Sequence, residues 1–240
     1  MVGSLKVPPL LELLYFFIHN HKKCGKIECM EPKFFQKHPI LHDICSLILF
    51  VGAVVLGTLA LNAFIFRSYN VVGVSMENTF HSNDRVIVNR VPVSVSHFLG
   101  QEYVPARGQI IVFANGPADG PLTCQAQSGI TDQYIIKRVI AFPGERVVVK
   151  DGTLRVYNEE HPDGFIPDEE TRKSDLDGPK RYTSGEVDMV VPEGELFVSG
   201  DNREGTHSYD SRNGLGTIPY CRIAGPVILR LYPFDSIRLF

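Results

Sequence analysis

The chain has 240 residues, 44% of them hydrophobic and 21% charged, with a formal net charge of −3. That is room for one anchored domain of ordinary size rather than several, and no basic stripe is present that would suit a nucleic-acid partner. The charge is unevenly spread: six Lys in residues 1–66 stand against Glu12, Glu28, Glu31 and Asp43, so this part carries +2 and the remainder −5.

Residues 10–18 are apolar apart from Glu12. They are too short to cross a bilayer and are expected to rest on its surface or pack on an anchor. Residues 44–66 are the anchor: 23 residues without a formal charge. As a helix they reach roughly 34 Å, enough for a hydrocarbon core of about 30 Å. Phe64, Phe66 and Arg67 close this run where a cleaved signal would have small residues, so the span is read as permanent. Lys22, Lys23, Lys26, Lys33 and Lys37 precede it and only Arg67 follows closely, which orients the N-terminus to the cytoplasm. The expected organisation is a cytoplasmic segment 1–43, a transmembrane helix 44–66 and an extracytoplasmic domain 67–240. Met30 opens a stretch that already carries a basic flank, so residues 1–29 are a candidate extension before a second start.

Of the five cysteines, Cys24, Cys29 and Cys45 fall on the inner or membrane side, and Cys124 and Cys221 outside. The last two are a candidate disulfide. Cys24 and Cys29 lack a second ligand pair, so no zinc site is expected there.

Beyond residue 70 the chain consists of short Val/Ile runs (85–88, 109–113, 146–149, 195–198) separated by turn residues, the pattern of an all-β domain. Asp151-Gly152 is a hairpin turn between two such runs, because glycine tolerates the positive φ required. Residues 158–187 are polar and rich in Pro and Gly, an insertion or loop. Phe98 and Leu99 stand out in a polar stretch and are expected to dip into lipid near the anchor.

Three clusters carry candidate chemistry. Lys137 lies in the apolar run Tyr134-Ile135-Ile136-Lys137-Arg138-Val139-Ile140, whereas Lys150, Lys173 and Lys180 sit beside turns or in the insertion. Burial disfavours an ammonium and lowers a lysine pKa, which is what a base needs; the bland alternative is a stem that snorkels to water. Both strand faces here are apolar, so alternation leaves open whether Lys137 or Arg138 is buried. The second cluster is Gly73-Val74-Ser75-Met76-Glu77-Asn78-Thr79-Phe80, where Ser75 sits close after the anchor. It does not match the Gly-x-Ser-x-Gly nucleophile elbow, since position 77 is Glu. The third is Ser199-Gly200-Asp201-Asn202-Arg203 followed by Ser208-Tyr209-Asp210-Ser211-Arg212-Asn213-Gly214, either a structured loop over a site or a solvated turn with Asp–Arg pairs.

In this order, the anchor and clusters resemble the type I signal peptidase family, membrane-bound serine proteases with a serine-lysine dyad. Residues 73–80 resemble its S-M-x-P-T-L segment, 84–90 its G-D-x-V-x-V-x-K strand, and 134–152 its Y-I-K-R-V-x-G-x-P-G-D segment. Residues 200–219 resemble G-D-N-R-x-x-S-x-D-S-R-x-x-G-x-V-P, and 230–239 the closing R-x-x-P-x-x-x-I. The resemblance implies a mainly β fold: a catalytic domain of coiled antiparallel sheets with a smaller inserted region, here 153–194, after one transmembrane helix. It implies Ser75 as nucleophile, Lys137 as general base and Ser208 as the hydroxyl that orients the lysine. The Ser75 amide would lie in the oxyanion hole, and Gly73 stands where some members place a serine donor. Gly200 would let the backbone pass close to Lys137, Asp201 lies beside it in the same loop, and Asp210 and Arg212 would hold the loop as a charge pair. Asn78 replaces the usual proline and Asn83 the usual glycine. Residues 204–207 are four where the family usually has two, which leaves Thr206 and Ser211 as alternatives to Ser208.

The implied activity is endoproteolytic removal of signal peptides from exported preproteins, cutting after small residues of the Ala-x-Ala type, with no metal or organic cofactor. The expected partners are preprotein signal peptides and membrane lipid, for a monomer in a bacterial plasma membrane. Two rivals stand beside this reading. One is an inactive, membrane-tethered β-domain that binds exported chains or a partner. The other is a serine-histidine hydrolase using His81, His97, His161 or His207.

Overall fold

The computed structural model describes residues 39–115, 133–169 and 178–240. Two compact units divide between Val55 and Leu56. The chain enters on α1 (Pro39–Ala60), continues through a π-helical turn (Leu61–Ile65) and passes directly into strand β1 (Phe66–Asn70). Proline at the first helical residue costs nothing, because that N–H has no helical acceptor anyway. Residues Asp43–Ile65 are apolar and long enough to cross a membrane by length and composition, with mean hydropathy 2.6. The helix therefore ends one residue before the expected 66, since Phe66 is already paired with Asn89 in the sheet.

The strands that follow are β2 (Arg85–Asn89), β3 (Ile110–Asn115), β4 (Gln133–Ala141), β5 (Arg146–Lys150), β6 (Thr153–Tyr157), β7 (Val187–Val190), β8 (Glu195–Ser199), β9 (Ile218–Pro219), β10 (Ile223–Tyr232) and β11 (Arg238–Leu239). One sheet runs β1-β2-β10-β3-β4-β8-β9, with β11 on β10, and a second, three-stranded sheet runs β6-β5-β7. Every pairing in both is antiparallel. The fold is thus mainly β, as the Val/Ile runs require. Alternation sends Val86 and Val88 of β2 inward while Arg85 remains exposed.

The second sheet flanks the polar stretch 158–187 and overlaps it only at Val187. Residues 153–157 and 187–190 are strands, and they pair on either side of β5, which precedes the polar stretch. Asp151 and Gly152 both have positive φ, 50° and 76°, as a two-residue hairpin demands. Val147, Val149, Leu154 and Val156 pack with Ile140 of β4 and Phe197 of β8, so one core joins the two sheets.

A short helix α2 (Val91–Phe98) interrupts the strands where the sequence suggested only a polar stretch. Its start is tied to the π-helical turn: the Arg90 N–H donates to Ile65 O at 2.7 Å, and Ser94 Oγ donates to Phe64 O at 3.0 Å. Cys221 is disulfide-bonded and Cys45 is free. Cys124, the expected partner of Cys221, lies outside the described residues, as do residues 10–18, Cys24, Cys29 and Met30.

Candidate active site

Ser75 sits in a turn between β1 and β2, and apolar side chains hold that turn in place. Met76 is 1% exposed and Phe80 is fully buried, both packing with Val71, Val86 and Val88. The turn closes through the Phe80 N–H donating to Met76 O at 2.8 Å. Burying the two residues next to the turn leaves Ser75 itself half-buried at its surface. Asn83, where the family pattern has glycine, has φ 76°, a left-handed conformation asparagine adopts more readily than most residues.

Lys137 comes from β4. Its strand pairs with β3 along its length, but β8 begins to pair only at Arg138, opposite Ser199. Among the described residues, 133–137 therefore have a strand partner on one edge only, and Lys137 stands at the end of that stretch. Both charges that alternation could not separate are buried, Lys137 to 3% exposure and Arg138 to 7%. They go to different partners. Lys137 Nζ lies 2.7 Å from Ser75 Oγ and donates to Ile136 O at 2.9 Å. Arg138 forms a bidentate pair with the Asp201 carboxylate at 2.7 and 2.6 Å.

That division decides the electrostatics. Burial pulls the Lys137 pKa from 10.5 down to about 8, against the opposing pull of Asp210 and Asp201, whose charges are already committed to arginines. Burial pushes the Asp201 carboxyl up, but Arg138 and Thr79 outweigh it, and the net shift is downward. Asp210 behaves likewise: desolvation is overcome by Arg212, by the Ser208 hydroxyl and by the Gly200 N–H, and Ser199 Oγ also donates to the carboxylate at 3.0 Å.

Gly200 is the narrow point of the site. A Cβ built there would overlap both Ser208 Oγ and Ser75 O, so the close approach is to those two residues. Ser208 is fully buried. Its Oγ lies near the Asp210 carboxylate and helps keep it charged. Of the alternatives, Thr206 is exposed, and Ser211 Oγ accepts the Val198 N–H at 3.0 Å, which holds it against β8. The Ser75 amide donates no backbone hydrogen bond among the described residues. The Gly73 N–H is engaged with Ser82 Oγ at 2.9 Å.

Sequence reasoning missed Asn202 and Arg203. The Asn202 N–H donates to Ser75 O at 3.0 Å and its Nδ2 to Val74 O at 3.1 Å, tying the loop after β8 directly to the Ser75 turn. Arg203 is fully buried and pairs with Asp168 of the polar stretch at 2.7 Å, while its carbonyl accepts from Arg212 at 2.9 Å. Their place in the Ser199–Arg203 cluster was the available signal. Of the histidines considered as bases, only His207 lines the cleft that holds Ser75. That cleft has a volume of about 710 Å³ and lies between residues 69–75 and 133–137. No group of three metal-ligating side chains occurs among the described residues.

The profile of the family described as signal peptidase, peptidase S26, matches residues 44–232. Signal peptidase I of Bacillus licheniformis is 34% identical over 186 residues, 78% of this chain and 87% of that protein. Signal peptidase I S of Bacillus subtilis (strain 168) is 34% identical over 188 residues, 78% and 88% of the two chains. A probable signal peptidase I-2 of Synechocystis is 28% identical over 189 residues, 79% and 73% of the two chains. The clusters first read from the sequence all lie within the matched span, and the chain belongs to the S26 signal peptidases, serine peptidases that remove signal peptides.

Proposed function

We propose that this protein is a membrane-anchored endopeptidase in which Ser75 is the nucleophile and Lys137 its general base. The observation that carries the reading is the 2.7 Å separation of Lys137 Nζ and Ser75 Oγ, with the lysine 3% exposed. At the ordinary pKa of 10.5 about one lysine in three thousand is neutral at pH 7; at about 8 the fraction is about a tenth. Neutral Nζ takes the Ser75 proton as Oγ attacks the carbonyl before the cut. The Ser75 amide, without a backbone acceptor of its own, steadies the oxyanion. The amine then protonates the departing nitrogen and, neutral again, activates the water that releases the acyl group. Ser208 orients the lysine: its Oγ is buried beside the Asp210 carboxylate and meets Gly200 on the side where Ser75 O also meets it. Gly73 has no side-chain donor and its N–H is occupied by Ser82 Oγ, so the Ser75 amide is the oxyanion donor assigned among the described residues.

The substrate is an exported preprotein whose extended chain lies along the edge of residues 133–137 that has no strand partner among the described residues, as an added strand. Cutting follows small residues of the Ala-x-Ala type. Helix α1 and the π-helical turn span a bacterial plasma membrane, with the N-terminus cytoplasmic and the β-domain outside. Val91, Val95, Phe98 and Leu99 of α2 and its C-cap form an exposed apolar stripe that rests in lipid, Phe98 being 90% exposed.

The test is cleavage of an Ala-x-Ala preprotein in detergent by the wild type, Ser75→Ala and Lys137→Ala proteins, reading the product N-terminus by mass spectrometry. The wild type cuts after the second alanine and both variants are folded but inactive. Activity that survives in Lys137→Ala moves the base elsewhere, and a wild type silent on several preproteins favours a tethered binding domain.

A further inference from the structure

The peptide unit joining Val74 to Ser75 contains the amide assigned to the oxyanion, and its carbonyl is held from outside the turn. Asn202 Nδ2 donates to Val74 O at 3.1 Å, and the Asn202 backbone N–H donates to Ser75 O at 3.0 Å. The Glu77 N–H also reaches Val74 O, at 3.2 Å, but that bond lies within the turn; Asn202 is what ties the carbonyl to another part of the chain. In a trans peptide unit, which is planar, the C=O and N–H point in opposite directions. The Val74–Ser75 bond is trans. Drawing Val74 O toward Asn202 therefore turns the Ser75 N–H away from the loop after β8, and Val74 and Ser75 both line the cleft. The second bond, to Ser75 O, holds the next peptide unit, so one residue sets the backbone on both sides of the Ser75 Cα.

Asn202 is itself firmly placed. It is 3% exposed and stands between two buried charges, Asp201 paired with Arg138 and Arg203 paired with Asp168. The carbonyls on either side of it are also engaged: Asp201 O accepts the Lys180 N–H at 3.0 Å, and Arg203 O accepts the Ser184 N–H at 2.9 Å. Asn202 Oδ1 is buried without a partner among the described residues, so the side chain makes its hydrogen bond to Val74 alone. A donor fixed in this way holds a reacting group to a narrow position, which is what charge stabilisation in a transition state requires. We infer that Asn202 is a positioning residue for the peptidase reaction: by holding the Val74 and Ser75 carbonyls, it aims the Ser75 N–H at the oxygen that becomes negative during attack. It acts through the Ser75 backbone and not on the substrate. The inference rests on the proposed reading of Ser75 as nucleophile.

The experiment measures kcat and KM on an Ala-x-Ala preprotein with the full-length protein in detergent, across the pH range through which Lys137 titrates. The variants are Asn202→Ala, which removes Nδ2 and keeps the backbone N–H, and Asn202→Ser, whose hydroxyl is too short to take over the bond to Val74. The oxyanion forms only in the transition state, so both variants should lose about 10- to 100-fold in kcat with KM within about twofold of the wild type. Activity in both should still rise with pH through about 8, because the surroundings of Lys137 are unchanged. A merely structural role predicts a different pattern: a loosened loop shifts Gly200 and Asp210 against Lys137, so KM and the midpoint of the pH profile move together with kcat. That pattern overturns the inference, as does a wild-type kcat in either variant, or the failure of both variants to fold. Each of those outcomes leaves the peptidase reading standing. A wild type that cuts no preprotein, or a Ser75→Ala protein that still cuts, overturns that reading and this inference with it.

Discussion

The two sheets handle charge in opposite ways. In the small sheet, Arg146 of β5 and Asp188 of β7 form a bidentate pair whose side chains are 54% and 55% exposed. In the loop that follows β8 on the large sheet, Arg138–Asp201 is 8% and 0% exposed, Arg203–Asp168 0% and 4%, and Arg212–Asp210 fully buried. The geometry of the bonds is similar, so the difference lies in what surrounds them. A solvated pair can be lost and replaced by water, whereas a buried arginine without its carboxylate has nowhere to send its charge. Three such pairs packed around residues 200–212 make the loop rigid at the place where Gly200 and Asn202 meet Ser75. The buried loop positions chemistry; the solvated pair decorates a surface.

The largest effect should come from removing one carboxylate of that loop. Asp201→Ala leaves Arg138 buried and strips Thr79 of its acceptor, at an expected cost of about 3–5 kcal/mol in urea unfolding. If Asp201→Ala unfolds like the wild type, the contrast between the sheets is cosmetic.

Lys137 sharpens the comparison from the other side, because it is a buried cation held by Ser75 Oγ and Ile136 O rather than by a carboxylate. Its folded pKa of about 8 lies below the ordinary 10.5, so between those values the unfolded chain binds more protons. Stability must then rise with pH from about 8 to about 10.5, and below 8 the protein carries the full cost of a buried ammonium, about 3 kcal/mol. Lys137→Met is expected to recover much of that at pH 7 while abolishing cleavage. The same titration makes wild-type activity increase with pH through about 8. Asp201 and Asp210 have the opposite sign: their pKa values are lowered, and their contribution is lost only as pH falls below the ordinary carboxylate range.

A glycine on each side separates packing from backbone strain. Gly200→Ala meets Ser75 O and Ser208 Oγ with no room to move, and should cost about 1–3 kcal/mol together with most of the cleavage rate. Gly144, in the turn that leads to the small sheet, has φ +80° and nothing within 4 Å of its missing Cβ. Gly144→Ala should cost about 1 kcal/mol from backbone conformation alone and leave kcat unchanged.

Much of this was legible in the sequence, for identifiable reasons. The strands were visible because Val and Ile alternate or run together between glycine turns, and 85–88, 146–149 and 195–198 all lie inside strands. Lys137 was visible because a lysine in an apolar run demands an explanation. Its choice over Arg138 was not, because both faces of β4 are covered and only the register against β8 shows which side is open. The small sheet was hidden by composition: β7 is the four-residue Val187–Val190, half exposed, and its partner β5 was already assigned to the apolar pattern. Arg203 and Asp168 were hidden because a 35-residue separation between two charges carries no local signal.

The smallest effect is the most discriminating for the comparison. Asp188→Ala removes a pair that, by bond length alone, looks as strong as Arg138–Asp201, with contacts of 2.5 and 2.6 Å between the nearest atoms. Arg146 would keep its water, so urea unfolding and cleavage should both be indistinguishable from the wild type. A measurable loss would show that the small sheet is held by this pair rather than by Val147, Val149, Leu154 and Val156, which it shares with the core under β4 and β8. The small sheet would then owe its attachment to surface charge, and raising the ionic strength should weaken it further, an effect the buried pairs around Gly200 are shielded from.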